Sequence, residues 1–338
     1  MIFREWIAAL PKVELHLHLE GAIPYDALWR LVEKYGGDEE LPSVEALRGR
    51  LEYRDFPHFI ETWIWKNQFI REYDDFEMIA EAVAADLAQQ NVCYAEAFYS
   101  PRDFAKTGLT LSEITRAMRR GLDKVAEIEV ALVADLIRDF GPDSAAQALD
   151  ELREVRDQGV IGIGIGGSEQ DFPPEPFAAV YDRARCFGFR TNAHAGEAAG
   201  PASVWGAIRT LQVDRIGHGT RAVEDAELLD YLSETGTPIE LCPISNVCTG
   251  VIQSIGEHPI GEYLRRGLTV CINTDDPKMF HNTLVDEFDQ LRTHHDVTTE
   301  QTKALLESAI ESSWMAADAK IARLSQLRTH EMWNVEPT

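Results

Sequence analysis

Glu14-Leu15-His16-Leu17-His18-Leu19-Glu20-Gly21 alternates polar and apolar residues until it reaches a glycine. On a strand, successive side chains point to opposite faces, so His16 and His18 share one face and Leu15, Leu17 and Leu19 the other. Two imidazoles on one side, near a strand's C-terminal end, make a seat for a divalent metal. Alone, the pair reads equally well as hydrogen-bonded polar groups inside a core.

Working outward, seven further β-rich runs follow: Cys93–Ser100, Val130–Arg138, Val160–Gly167, Arg190–Glu197, Arg215–Gly219, Ile239–Ser245 and Thr269–Thr274. Helical patterns lie between them, among them Leu111–Ala126, Ser144–Gln158, Pro176–Phe187, Ala202–Gln212 and Asp225–Thr235. Alternation of this kind reads as βα units on one parallel sheet, an α/β (TIM) barrel whose strand ends form the active-site face. The chain has 338 residues, more than the roughly 250 of a plain barrel, so one domain with an insertion is expected. The insertion falls after strand one, at about 24–90. Asp26–Lys34 and Phe56–Ala88 look helical there, with Phe56, Phe59, Ile60 and Trp63 on one face. Such a segment would lie over the barrel mouth as a lid, or simply pack the insertion down. The tail after Leu327 is polar and unpatterned, and reads as loose.

Composition narrows the partners. Apolar residues make up 45% and charged residues 26%, a globular balance with material for a core. There are 57 acidic against 32 basic residues, a formal net charge of -25. That field repels nucleic acid and anionic membranes, whose binding needs Lys and Arg, so neither is expected as a partner. Neutral or cationic small molecules suit it better. No run approaches the ~20 apolar residues of a membrane span, and Arg4 and Glu5 interrupt any leader-like start. Five scattered cysteines without a CxxC pair point to reduced thiols and a cytoplasmic setting. A homo-oligomer stays open.

Three more strand ends carry chemistry. His194-Ala195-Gly196-Glu197 closes the fifth strand, where Gly196 lets the backbone turn Glu197 back over the metal. A desolvated carboxyl there has its pKa raised and donates a proton near neutral pH. Gly217-His218-Gly219 ends the sixth strand with an accessible imidazole. Asn273-Thr274-Asp275-Asp276-Pro277 closes the eighth, and Pro277 disfavours α geometry at Asp276, so the two carboxylates diverge. One suits a metal and the other a substrate. Singly these are ordinary; together they sit at the ends of strands one, five, six and eight, where barrel enzymes build their sites.

At these residues the sequence resembles the adenosine deaminase family of amidohydrolase barrels. The resemblance covers nearly the whole chain, from Leu10-Pro11-Lys12 through His16–Ala22, Phe98–Pro101, His194–Glu197, Gly217–Gly219, Leu241–Asn246 and Asn273–Pro277. It implies that His16, His18, His194 and Asp275 ligate a single Zn²⁺, with Asp275 also counted in the catalytic set. It implies that Glu197 donates a proton to purine N1, that His218 orients or deprotonates the attacking water, that Asp276 addresses N7, and that the Gly167 backbone lies near N3. Phe56, Phe59 and Trp63 would gate the purine. The implied reaction is hydrolysis of a 6-aminopurine to the 6-oxopurine and ammonia.

Departures bear on the substrate. Many nucleoside-specific members carry Asp, facing the ribose 5'-hydroxyl, where this chain has Glu20, whereas adenine-specific members commonly carry Glu. Gly167 leans back towards nucleosides, while Ser168 and Phe98 replace the usual adenosine-type Asp and Arg. The reading favours adenosine or a close nucleoside, with adenine and 6-aminodeoxyfutalosine as alternatives. A two-metal phosphoesterase or lactonase is disfavoured because Val160–Gly167 lacks the bridging lysine. A non-catalytic zinc-binding relative ranks lower, since every expected proton-transfer residue is present.

Overall fold

Apolar and small residues dominate the strands because both faces are covered, as in any parallel sheet wrapped by helices. This computed structural model describes residues 1–53 and 58–338, with the helical backbone at 56 and 57. The strands are β1 (Lys12–His18), β2 (Val92–Tyr99), β3 (Glu129–Asp135), β4 (Val160–Gly164), β5 (Arg190–Ala195), β6 (Arg215–His218), β7 (Ile239–Leu241) and β8 (Val270–Ile272). They pair in parallel and in sequence order. A parallel bridge between Leu17 and Asp275 joins the two ends: the His18 amide donates to the Asp275 carbonyl at 2.8 Å and the Asp275 amide to the His16 carbonyl at 3.1 Å. The expected α/β barrel is therefore the fold.

The outer helices follow their sequence patterns. Leu111–Leu122 is capped by Thr110, whose hydroxyl accepts from the Glu113 amide, and it buries Leu111, Ile114, Met118 and Leu122 against the barrel. Between β1 and β2, among the described residues, lie a 3-10 turn at Glu20–Ala22 and four α-helices, Tyr25–Lys34, Val44–Arg50, Phe56–Asn67 and Tyr73–Gln89. The helix expected over Phe56–Ala88 is thus two, and Val44–Arg50 is an addition. A helix also replaces the end of the seventh expected strand. Pro243 cannot donate to a sheet ladder but suits a helix's first turn, so β7 stops at Leu241 and Pro243–Cys248 is helical.

The tail corrects an expectation. It is tied to the first helix, Phe3–Ala9, instead of hanging loose: Trp6 Nε1 donates to the Met332 carbonyl at 2.8 Å, and Phe3 N to the Thr338 carbonyl at 3.2 Å. All five cysteines are unpaired, with Cys242 and Cys271 buried and Cys186 exposed. No helix among the described residues is long and apolar enough to cross a membrane.

Candidate active site

The strand alternation of β1 delivers His16 and His18 to the barrel interior, where His194 of β5 and Asp275 just after β8 meet them. The Nε2 atoms of His16 and His18 lie 3.1 and 3.2 Å from His194 Nε2. Asp275 Oδ1 lies 3.4 Å from His16 Nε2 and 3.3 Å from His18 Nε2. These separations match the edges of a tetrahedron with metal–ligand bonds of ~2.0–2.1 Å, about 3.3–3.4 Å. Three imidazole nitrogens facing one another cannot all be satisfied by each other's protons, whereas a cation satisfies every lone pair at once. The four residues also form a group able to hold a metal ion by the proximity of their donor atoms alone. The donor set therefore fits zinc.

Electrostatics agree. Burial alone favours a neutral His16, but hydrogen bonds with Asp275 and Glu240 prevail and push its pKa up to about 10. The seat is thus negatively biased and attracts positive charge. Asp275 is buried, which works against its ionisation, yet His16 and the surrounding imidazoles hold it well below the usual carboxylate range. Burial and then Asp275 drive its neighbour Asp276 far in the opposite direction. The two adjacent carboxyls are thus driven in opposite directions, in keeping with the separate roles the sequence suggests for them. His218 and Asp275 both carry positive φ, +60° and +66°. Non-glycine residues held there cost on the order of 1–3 kcal/mol each, a pattern concentrated at functional sites.

Glu197 and His218 flank this seat, with His218 Nε2 3.5 Å from Glu197 Oε2. Gly196 has φ +75°, the turn that brings Glu197 over the site. Burial, then Asp275 and Glu169, push the Glu197 carboxyl up to about 8. Glu169, which sequence reasoning missed, fixes this loop by accepting from the Gly196, Glu197 and Ala199 amides at 2.6, 3.0 and 2.9 Å. Burial lowers the His218 pKa to about 3, keeping the ring neutral. Asn246 Oδ1 accepts from the Thr220 hydroxyl, which turns the Asn246 amide nitrogen towards His218 Nδ1 at 3.3 Å. His218 Nε2 then carries the ring proton.

A cavity of about 290 Å³ opens above the seat. Phe59 and Trp63 from the helix Phe56–Asn67 wall it, with Gly167, Asp276, Asp135 and Ser100. Gly167 has φ +103°, and a Cβ there would lie 2.0 Å from Asp139 Oδ2, so a side chain at this position is strained by the backbone and must displace Asp139. The Phe56 side chain lies outside the described residues. Glu20 departs from its sequence reading. It is fully buried and, among the described residues, absent from the cavity wall. Its Oε1 instead accepts from the Ser100 amide at 2.9 Å, and Lys66 donates to its backbone carbonyl at 2.7 Å.

Two other polar partners escaped the sequence reading. Ser245 donates to Asp275 Oδ2 at 2.6 Å, and Glu240 Oε2 lies 2.8 Å from His16 Nδ1. Glu240 was detectable in principle. It sits between Ile239 and Leu241 on a strand, so it alone faces the side those residues do not.

The fold and site together define a metal-dependent hydrolase barrel. A family model described as "Adenosine deaminase" matches residues 11–330. Adenine deaminase of Bordetella avium is 36% identical over 313 residues, covering 91% of this chain and 98% of that protein. The crystal structure of adenine deaminase from Arthrobacter aurescens superposes with a TM-score of 0.89 at 30% identity, covering 94% of this chain and 98% of that one. An amidohydrolase from Burkholderia ambifaria, solved with bound Zn, gives a TM-score of 0.89 at 29% identity, covering 98% and 93%. The chain belongs to the adenosine deaminase family.

Proposed function

We propose that this chain hydrolyses the 6-amino group of a purine, and that the purine is free adenine. The observation that carries the finer choice is Glu20. Its Oε1 accepts from the Ser100 amide and, among the described residues, it does not line the cavity, which supports a base without a ribose. The adenosine expectation thus yields to its adenine alternative, which the names of the similar proteins also favour.

The proposed ligands of a single zinc are His16, His18, His194 and Asp275; a divalent metal there supplies water activation at neutral pH. Glu197, protonated below its raised pKa, hands a proton to ring N1 and so makes C6 electrophilic. Neutral His218 holds the incoming water through its Nε2–H. Asp276, kept protonated by burial, donates to a ring nitrogen acceptor, and its Oδ1 has no partner among the described residues. The Gly167 amide faces another ring nitrogen. Phe59 and Trp63 cover the base and exclude water. The 6-amino group leaves as ammonia, giving the 6-oxopurine. The setting proposed is cytoplasmic.

Ultraviolet-monitored turnover of adenine, adenosine, 2'-deoxyadenosine, 5'-deoxyadenosine and aminodeoxyfutalosine tests this directly. Adenine should show the highest kcat/KM, by about 100-fold or more, a gap of ~2.7 kcal/mol in transition-state binding. A nucleoside turned over faster than adenine overturns the adenine assignment.

A further inference from the structure

The barrel interior below the metal seat holds charged side chains that the chemistry above does not use. Glu240, which receives His16 Nδ1, also receives Arg215 Nε on its other oxygen at 2.5 Å and Asn192 Nδ2 at 2.8 Å. Arg215 Nη2 donates to Glu96 Oε2 at 2.5 Å, and Nη1 to the Ser312 carbonyl at 3.0 Å. Glu96 Oε1 accepts from the Trp314 amide at 2.5 Å and from the Tyr94 hydroxyl at 2.9 Å. The Trp314 indole stacks 3.7 Å from the Arg215 guanidinium carbon. Glu96, Arg215 and Glu240 are at most 1% exposed.

This arrangement has a chemical consequence for His16. Both Glu240 oxygens act as acceptors, Oε1 from Arg215 and Oε2 from Asn192, so in the 2.8 Å contact His16 Nδ1–H is the donor and the Nε2 lone pair points into the seat. Arg215 is the cation packed against the buried Glu240 carboxylate and holds it in place. Arg215 in turn is aimed by three groups: the Glu96 carboxylate, the Ser312 carbonyl and the Trp314 ring. Two of those three, Ser312 and Trp314, lie at the last residue of the helix Thr299–Ser312 and just past it, far along the chain from every proposed ligand except Asp275.

We propose that Arg215, Glu96 and Trp314 are positioning residues for the metal seat, acting through Glu240 on the His16 tautomer. The proposal rests on reading His16, His18, His194 and Asp275 as the metal ligands. It extends that reading to residues that touch neither metal nor substrate.

The test uses the full-length protein and two readouts besides turnover. Zinc affinity is measured by equilibrium competition against a chromogenic chelator, and the ligand field by the visible absorption of the Co²⁺-loaded protein. Arg215→Lys keeps a charge but loses the fork geometry. It should weaken zinc binding about 10- to 100-fold, the range found when partners of a ligating histidine are lost, and alter the cobalt bands. Glu96→Gln should give about 10-fold, and Trp314→Phe, which retains an aromatic face and the backbone donor, about 2- to 3-fold. A merely structural role would lower thermal stability and leave the cobalt spectrum of the folded fraction unchanged. If Arg215→Lys does not fold, the two milder variants decide. Wild-type affinity and spectrum in folded variants overturn the relay alone. Wild-type protein that binds no metal overturns the seat, and the relay with it.

Discussion

Two layers of buried charge lie in the same barrel and differ in what they leave unsatisfied. In the lower layer, the side chains of Glu96, Arg215 and Glu240 have protein partners for every buried nitrogen and oxygen. In the upper layer, His194 Nδ1, His218 Nε2 and Asp276 Oδ1 are buried without one among the described residues. A buried polar atom left unpaired costs on the order of 1–3 kcal/mol, and the upper layer adds two residues at positive φ. The three charged groups of the lower layer are satisfied by protein, whereas His218 and Asp276 of the upper one line the cavity with an unpaired atom each. Buried charge therefore does not mark an active site by itself. Unpaired buried polar atoms gathered around a cavity do.

Removing a ligand should break the upper layer outright. Asp275→Ala takes away the one carboxylate facing His16 and His18. The expected outcome is metal content at background by elemental analysis and deamination below detection. Metal retained at wild-type stoichiometry would mean that Asp275 is not one of its ligands.

Glu197→Gln sharpens the same contrast by separating metal from proton transfer. It should keep its metal and lose kcat by about 100- to 10,000-fold, the usual share of a general acid. A pH profile adds a sign. Burial, then Asp275 and Glu169, raise the Glu197 pKa to about 8, so the proton it must donate is present below that value and lost as pH rises through it. Activity should accordingly fall on the alkaline side. A nearby divalent cation acts in the opposite sense to burial and draws the midpoint to or below about 8. The residual rate of Glu197→Gln should show no such limb, and full activity in it removes the proton-donor role.

The upper layer was far easier to read in the sequence than the lower. His16, His18, His194 and Asp275 lie in the last few residues of a strand or just past its end, so period-two alternation and strand-end position locate them without any tertiary knowledge. The eight strands were legible for the same reason. Glu96, Arg215 and Glu240 lie inside strand segments among apolar neighbours, and their meaning is purely pairwise. Glu96 and Arg215 are 119 positions apart, a separation no local pattern reports. Strand ends were overrun where the chain leaves the sheet without a break in polarity, as at Asp135 and Leu241. The surroundings of Glu20 were not legible, because only tertiary context shows its Oε1 accepting from the Ser100 amide.

Trp63 marks the boundary between the site and its cover, and its effect should be the smallest. Its Nε1 donates to Asp103 Oδ2 at 3.0 Å, its ring lies 4.1 Å from Lys66 Nζ, and its face walls the cavity. It packs with Phe59, which stacks on Phe280 at 5.3 Å in a small apolar cluster separate from the main core. Trp63→Phe keeps an aromatic wall and deletes one hydrogen bond, leaving Asp103 with Asn67 alone as a donor at 3.3 Å. A single such bond is worth about 0.5–1.5 kcal/mol, or roughly a two- to tenfold change in an equilibrium. Trp63 touches no proposed proton donor or metal ligand within hydrogen-bond distance, so it stabilises bound substrate and transition state alike. KM should rise by that two- to tenfold with kcat nearly unchanged, the signature of lost uniform binding in steady-state kinetics. A drop in kcat with KM unaltered would instead place Trp63 in the chemistry, and would move the boundary of the unsatisfied layer one residue outward.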